Sequence, residues 1–189
     1  MAKETIAIIS ESKSDYYAFI TTNYVLEHLK DVSLFYYGTR PAYTNISADS
    51  FLTFKRHFEQ IGFDAIVFIG EKDTKSLIHE ALRRDYEGGI LGPKTIELAK
   101  KGGLVAAIGE APSILGKLEL LKGKKYTCLP EYEDEAFKGT YTGKEVEIDG
   151  KIITAKSPYS SYEFALAIVE SLFGKAERNR IDKDIKGIK

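Results

Sequence analysis

A chain of 189 residues, 43% of them hydrophobic, suits one domain with one continuous core. Its 27 Lys and Arg nearly balance 28 Asp and Glu, and the resulting net charge of −1 supplies no field for steering nucleic acid or an anionic membrane, so neither is expected as a partner. The lone cysteine, Cys128, excludes an intramolecular disulfide framework and a cysteine-rich zinc site.

A strand pattern begins directly after Met1-Ala2-Lys3-Glu4-Thr5, with no signal peptide pattern before it. No apolar run approaches the roughly 20 residues of a spanning helix. The expected location is the cytoplasm. Ile6-Ala7-Ile8-Ile9 reads as a buried strand. After Ser14 or Asp15 as cap, Phe19, Ile20, Tyr24, Leu26 and Leu29 recur near the helical period and predict a buried helix face. Val32 to Tyr37 is a second strand, ended by Gly38, and Thr39 to Asp49 is polar and loop-like. A helix bearing Phe51, Phe54, Phe58 and Ile61 stops at Gly62, and Ala65 to Ile69 is a third strand closed by Gly70.

Residues 71–102 read as helix in two pieces, broken near Gly88-Gly89 and Gly92-Pro93. Leu104 to Ile108 is a fourth strand, which turns through Gly109-Glu110-Ala111-Pro112 into a helix running toward Leu121. A strand at Lys125 to Cys128 follows. Val146-Glu147-Ile148 and Lys151 to Thr154 flank Asp149-Gly150, a dipeptide suited to a type I′ hairpin turn. A last helix runs from about Ser160 to Phe173 and turns Phe164, Ala165, Ile168 and Leu172 inward. Residues 1–175 are thus read as one domain, and 176–189 as a polar tail expected to fray.

Strands alternating with helices predict an α/β fold with a mostly parallel sheet covered on both faces. Ligands bind such sheets beyond the carboxyl ends of the strands. That rule singles out Ser10-Glu11-Ser12, Gly70-Glu71-Lys72 and Gly109-Glu110. The sharpest of these is Val105-Ala106-Ala107-Ile108-Gly109-Glu110-Ala111-Pro112: an apolar strand, a tight turn of small residues, then a helix start. This is the layout of a nucleophile elbow, but no Ser or Cys stands on the turn.

Ala106 to Pro112 resembles the Ala-Ala-Ile-Cys-x-Gly-Pro elbow of the ThiJ/PfpI family. Phe63 to Gly70 is similar to that family's Asp-containing strand ending in Pro-Gly-Gly. Asp149 to Ala155 resembles its Asp-Gly hairpin, and Ser161 to Glu170 its last helix. The four stretches lie in family order within about residues 4–175. The resemblance implies a three-layer α/β/α sandwich, flavodoxin-like and of the class I glutamine-amidotransferase-like type. It also implies homo-oligomers, often built through surfaces near the first helix and the elbow. The family's elbow cysteine falls on Gly109, its acidic residue after the first strand on Tyr17 (with Asp15 and Glu11 nearby), its histidine after the fifth strand on Leu129, and the second glycine of Pro-Gly-Gly on Glu71.

Glycine supplies no nucleophile and tolerates the backbone angles that cost a cysteine about 1–3 kcal/mol at such a turn. If Leu129 takes the site-facing place, strand alternation turns Cys128 away as a small buried hydrophobe. Glu110 at a helix start gains about 0.3–1 kcal/mol from the helix dipole. Glu11, Glu71 and Glu110 share one sheet edge, as solvated caps or as a cluster for a divalent cation or a polyamine-like ligand. Lys156 and Ser157 are candidates for contact with a bound anion. A plain cap by Ser160 or Ser161 is the alternative. His28, His57 and His79 sit at no mutual ligand spacing. The candidate pocket is therefore Glu11, Asp15, Tyr17, Gly70, Glu71, Gly109, Glu110, Leu129, Lys156 and Ser157, with no metal and no cofactor expected. The leading expectation is a binding, regulatory or structural homo-oligomer that has lost cysteine chemistry. Its rivals are an altered enzyme using Glu110 on a small carbonyl, amide or glycated substrate, and the family's thiolate-dependent peptidase, glyoxalase or deglycase activity.

Overall fold

Alternate residues of each central strand are apolar on both faces, so the strands are stable only inside a covered sheet. The computed structural model describes residues 4–10, 16–38, 61–70 and 91–187. Its elements are β1 (Glu4–Ser10), α1 (Tyr16–Leu26), β2 (Val32–Gly38), β3 (Ala65–Gly70), α2 (Leu91–Lys100), β4 (Leu104–Gly109), α3 (Pro112–Lys117), β5 (Lys125–Tyr126), β6 (Thr140–Tyr141), β7 (Val146–Asp149), β8 (Ile152–Ala155), α4 (Ser161–Phe173) and α5 (Lys175–Lys186). The main sheet runs β2-β1-β3-β4-β8-β7, with β7 alone antiparallel to its neighbour. Strand order reverses between β1 and β3, which places the binding crevice of this fold type at their carboxyl ends.

One face of the sheet buries Ile6, Ile8, Val67, Ile69, Ala106 and Ile108 under α1 and α4, and α5 packs outside α4. The other buries Ala7, Ile9, Ile66, Phe68, Val105 and Ala107 under α2 and α3. The result is the expected three-layer α/β/α sandwich. Among the described residues, no helix is long and apolar enough to cross a membrane.

Several local expectations are corrected. The buried side of α1 is Ala18, Thr22, Val25 and Leu26, continued by Leu29, whereas Ile20 and Tyr24 are 44% and 51% exposed. Leu26 and Leu29 are buried and Phe19 packs against the core as expected, but Ile20 and Tyr24 turn outward, and Ala18 and Thr22 bring the helix close in their place. Gly92-Pro93 lies in the first turn of α2, where a proline's missing N–H costs nothing. The helix after the elbow ends at Lys117, not Leu121. Glu119 there takes a left-handed φ of 61°, and Leu120 N–H reaches Leu115 O at 2.9 Å while Glu119 N–H reaches Gly116 O at 3.0 Å, a Schellman closure. The expected strand at 125–128 shrinks to β5, which pairs with the unforeseen β6. Beyond it Thr127 N–H bonds to the Thr154 hydroxyl at 2.9 Å, so the ladder stops.

The hairpin turn also shifts by one residue. Asp149 pairs with Ile152, leaving Gly150-Lys151 as the loop. Gly150 has φ +64° and Lys151 does not have positive φ, which makes the turn type II′ in place of type I′. Asp149 is instead an anchor for β5. Its carboxylate accepts the Lys125 N–H at 2.9 Å and pairs with Lys124 Nζ at 2.9 Å. The Lys125 amide and then Lys124 hold this carboxyl below the ordinary carboxylate range. A lowered folded pKa stabilises the fold above the unfolded value, near 4, and that contribution disappears as pH falls through the folded value. Urea midpoints of wild type and Asp149→Asn should therefore differ at about pH 7 and converge toward about pH 3; a gap of equal size at both would refute the assignment.

The polar tail does not fray. It forms α5, docked by Ile181, which is fully buried, with Ile185 partly buried beside it. Two isoleucines in a run of charges carry too little signal to be read as a packed face. The expected helix at Phe51, Phe54 and Phe58, the loop 39–49, and the helical piece before Leu91 lie outside the described residues.

Candidate functional site

The elbow is built by strand pairing. Gly70 and Gly109 face each other at the carboxyl ends of β3 and β4. Glu110 N–H then continues the ladder to Gly70 O at 3.0 Å. Gly109 has φ +74°, the left-handed region that side chains enter only with strain. This permits the abrupt turn from β4 into α3. Its carbonyl accepts Leu129 N–H at 3.1 Å, which draws the segment after β5 across the elbow. Pro112 opens α3, Ala111 offers no side-chain cap, and the Ser113 hydroxyl donates to Glu110 O at 2.7 Å.

Gly70, Gly109, Glu110 and Leu129 thus come together through backbone bonds. Glu110 is only 1% exposed, so the expectation of a solvated cap at that residue is corrected. It directly follows the glycine turn, in a run of buried residues from Gly109 to Pro112. Glu11, Asp15 and Glu71 lie outside the described residues, as do His57 and His79. Among the described residues, no three acidic, His or Cys groups are placed to hold a metal ion.

Cys128 is fully buried in the core cluster that contains Ala111, Ile114 and Leu115. Burial, followed by the carboxylates of Glu133 and Glu131, pushes its thiol up to about 12. A thiol in that state is neither ionised at neutral pH nor open to a substrate.

Tyr17 opens the exposed side of α1 at 56% exposure, and its ring lies 6.2 Å from that of Tyr159, which is 88% exposed. The segment from Lys156 to Ser160 is tied to Glu145, a residue the sequence reading passed over. Glu145 O accepts Lys156 N–H at 2.9 Å, and its carboxylate accepts the Ser160 hydroxyl at 2.6 Å and lies 3.8 Å from Lys156 Nζ. Neither Ser157 nor Ser160 caps a helix with its side chain. Tyr159 was also missed. Its signal was an aromatic ring in a Ser-Pro-Tyr-Ser turn, where packing gives no reason for one. His28 closes α1, its Nδ1 donating to Tyr24 O at 2.7 Å.

A model of the DJ-1/PfpI family matches residues 54–171. The chain is 40% identical over 101 residues to Protein DJ-1 homolog B of Arabidopsis thaliana, a match covering 47% of this chain and 23% of that protein. It is 32% identical over 125 residues to glutathione-independent glyoxalase DJR-1.2 of Caenorhabditis elegans, covering 65% of this chain and 62% of that protein. Both matches span less than two thirds of the relative's length. Among solved structures, Drosophila melanogaster DJ-1beta shares the fold with a TM-score of 0.75 at 23% identity, over 97% of this chain and 98% of that one.

Proposed function

The chain belongs to the DJ-1/PfpI family, and from that premise we propose that it is a member without cysteine-dependent catalysis, acting as a binding, regulatory or structural homo-oligomer. The observation that carries the reading is Gly109. By resemblance it stands where the family places its elbow cysteine, it retains the left-handed φ of +74°, and it has no side chain to react. Cys128 is no substitute, being buried and protonated at neutral pH.

The homo-oligomer reading rests on surface chemistry. Of the five large hydrophobic side chains exposed among the described residues, four fall on or beside α1: Tyr17, Ile20, Tyr24 and Tyr159. A concentrated aromatic face of this kind supports an interface, and one repeated on a second copy about a two-fold axis would be self-complementary.

One relative's name, glyoxalase, supplies the test substrate. Wild type, Cys128→Ala and Glu110→Gln are incubated with methylglyoxal and its loss is followed. The expected result is no turnover above buffer in any of them. Turnover abolished by Cys128→Ala would overturn the reading in favour of thiolate chemistry. Turnover abolished by Glu110→Gln alone would overturn it in favour of an altered carboxylate mechanism.

A further inference from the structure

Helix α5 is polar along nearly its whole length, yet it is docked. Ile181 is its only buried residue. Ile185, partly buried, packs against the same core cluster, and the remaining attachments are charged or polar. Arg178 lies 3.2 Å from Glu163 and 3.6 Å from Glu170 on α4, and the Tyr162 hydroxyl donates to Asp182 at 2.8 Å. Arg180 reaches farther. Its Nη2 donates to the carbonyl of His28 at 3.0 Å, across 152 residues of sequence. Glu177 and Asp184 hold the same guanidinium at 2.6 Å each, fixing its direction.

His28 lies two residues beyond Leu26 in the closing turn of α1, where backbone carbonyls have no partner within the helix. A cation there both satisfies a carbonyl and complements the helix dipole. The turn it closes is thin: Glu27 N–H bonds to Asn23 O at 2.8 Å, His28 N–H to Val25 O at 3.2 Å, and Leu29 N–H to Leu26 O at 3.1 Å. At its other end α5 joins α4 through Gly174 alone, at φ +86° and ψ 169°, a conformation essentially reserved for glycine. A single-residue joint, a two-isoleucine anchor and the Arg178 ion pairs to α4 make a unit that can open without the sheet.

We propose that α5 is a salt-sensitive strap: Arg180 closes the C-terminal end of α1, and α5 swings out as a unit about Gly174 when its ion pairs are screened. Screening shortens the reach of these pairs to about 3 Å at about 1 M salt, while leaving buried apolar packing intact. The core strands have no share in this network and keep their protection.

Hydrogen exchange read by mass spectrometry tests it on the full chain. In wild type, raising NaCl to about 1 M is expected to speed exchange about tenfold over residues 27–29 and 175–186, with β3 and β4 unchanged. Arg180→Met at low salt is expected to speed residues 27–29 by a similar factor. Ile181→Ser, which removes the fully buried part of the anchor, is expected to release both segments at low salt. The proposal is overturned if Arg180→Met leaves 27–29 unchanged, if salt has no effect on α5, or if β3 and β4 accelerate by the same factor, since that would be loosening of the whole fold.

Discussion

Truncating Phe68 to alanine is expected to lower the free energy of unfolding by about 3–5 kcal/mol, the range for deleting a fully buried aromatic ring. Phe68 is inaccessible to solvent at the centre of β3, flanked in register by Ile9 and Ala107. Its neighbours on that face are themselves fixed by a sheet on one side and by α2 and α3 on the other, so they cannot collapse into the vacated volume. The lost transfer energy and the cavity then add. Ile148→Ala on the exposed side of β7 is the matched control, with an expected change within about 0.5 kcal/mol. Urea unfolding followed by circular dichroism measures both. A loss below about 1 kcal/mol for Phe68→Ala would mean that this face of the sheet is not the packed layer described.

If the proposed homo-oligomer forms through α1, placing a charge on the exposed side of that helix is expected to dissociate it. Ile20 sits between Tyr17 and Tyr24 on that side, and a glutamate there would have to be desolvated on association. A central interface residue of this kind is worth about 2 kcal/mol or more, roughly 30-fold in Kd. Sedimentation velocity should show the Ile20→Glu population shifting to monomer at concentrations where wild type is associated. Ile148→Glu, equally exposed but away from that face, should leave the wild-type distribution unchanged. A wild type that stays monomeric at about 100 μM, or an Ile20→Glu variant that associates like wild type, would remove the α1 face as the interface.

The strands and their order in the chain could be read directly from the sequence, because a doubly buried parallel sheet demands continuous apolar runs such as Ala65 to Ile69 and Leu104 to Ile108. The elbow was legible for the same reason, since small residues must stand where β4 turns sharply into a helix. What the sequence hid depends on tertiary partners. Helix α1 packs by Ala18 and Thr22, whose sizes give no hydrophobic signal, as well as by Val25 and Leu26, so Ile20 and Tyr24 are expected in the core although they face outward. Helix α5 is decided by two isoleucines and by arginines whose partners lie on α4 and after α1. The burial of Glu110 was equally out of reach, because a carboxylate next to a helix start is ordinarily solvated. Lys156 was assigned to a bound anion on position alone, and Glu145 faces it in the fold.

The central claim is that no thiol of this chain can act as a nucleophile in the folded state. Because Cys128 is its single cysteine, the rate of iodoacetamide labelling tests that claim without reference to any substrate. With the thiol fully buried and pushed up to about 12, labelling of native protein at about pH 7 should be slower than that of urea-unfolded protein by a factor of about 1000 or more. Stoichiometric labelling of the native protein within minutes, persisting at about pH 6, would reveal an accessible thiolate and contradict the account.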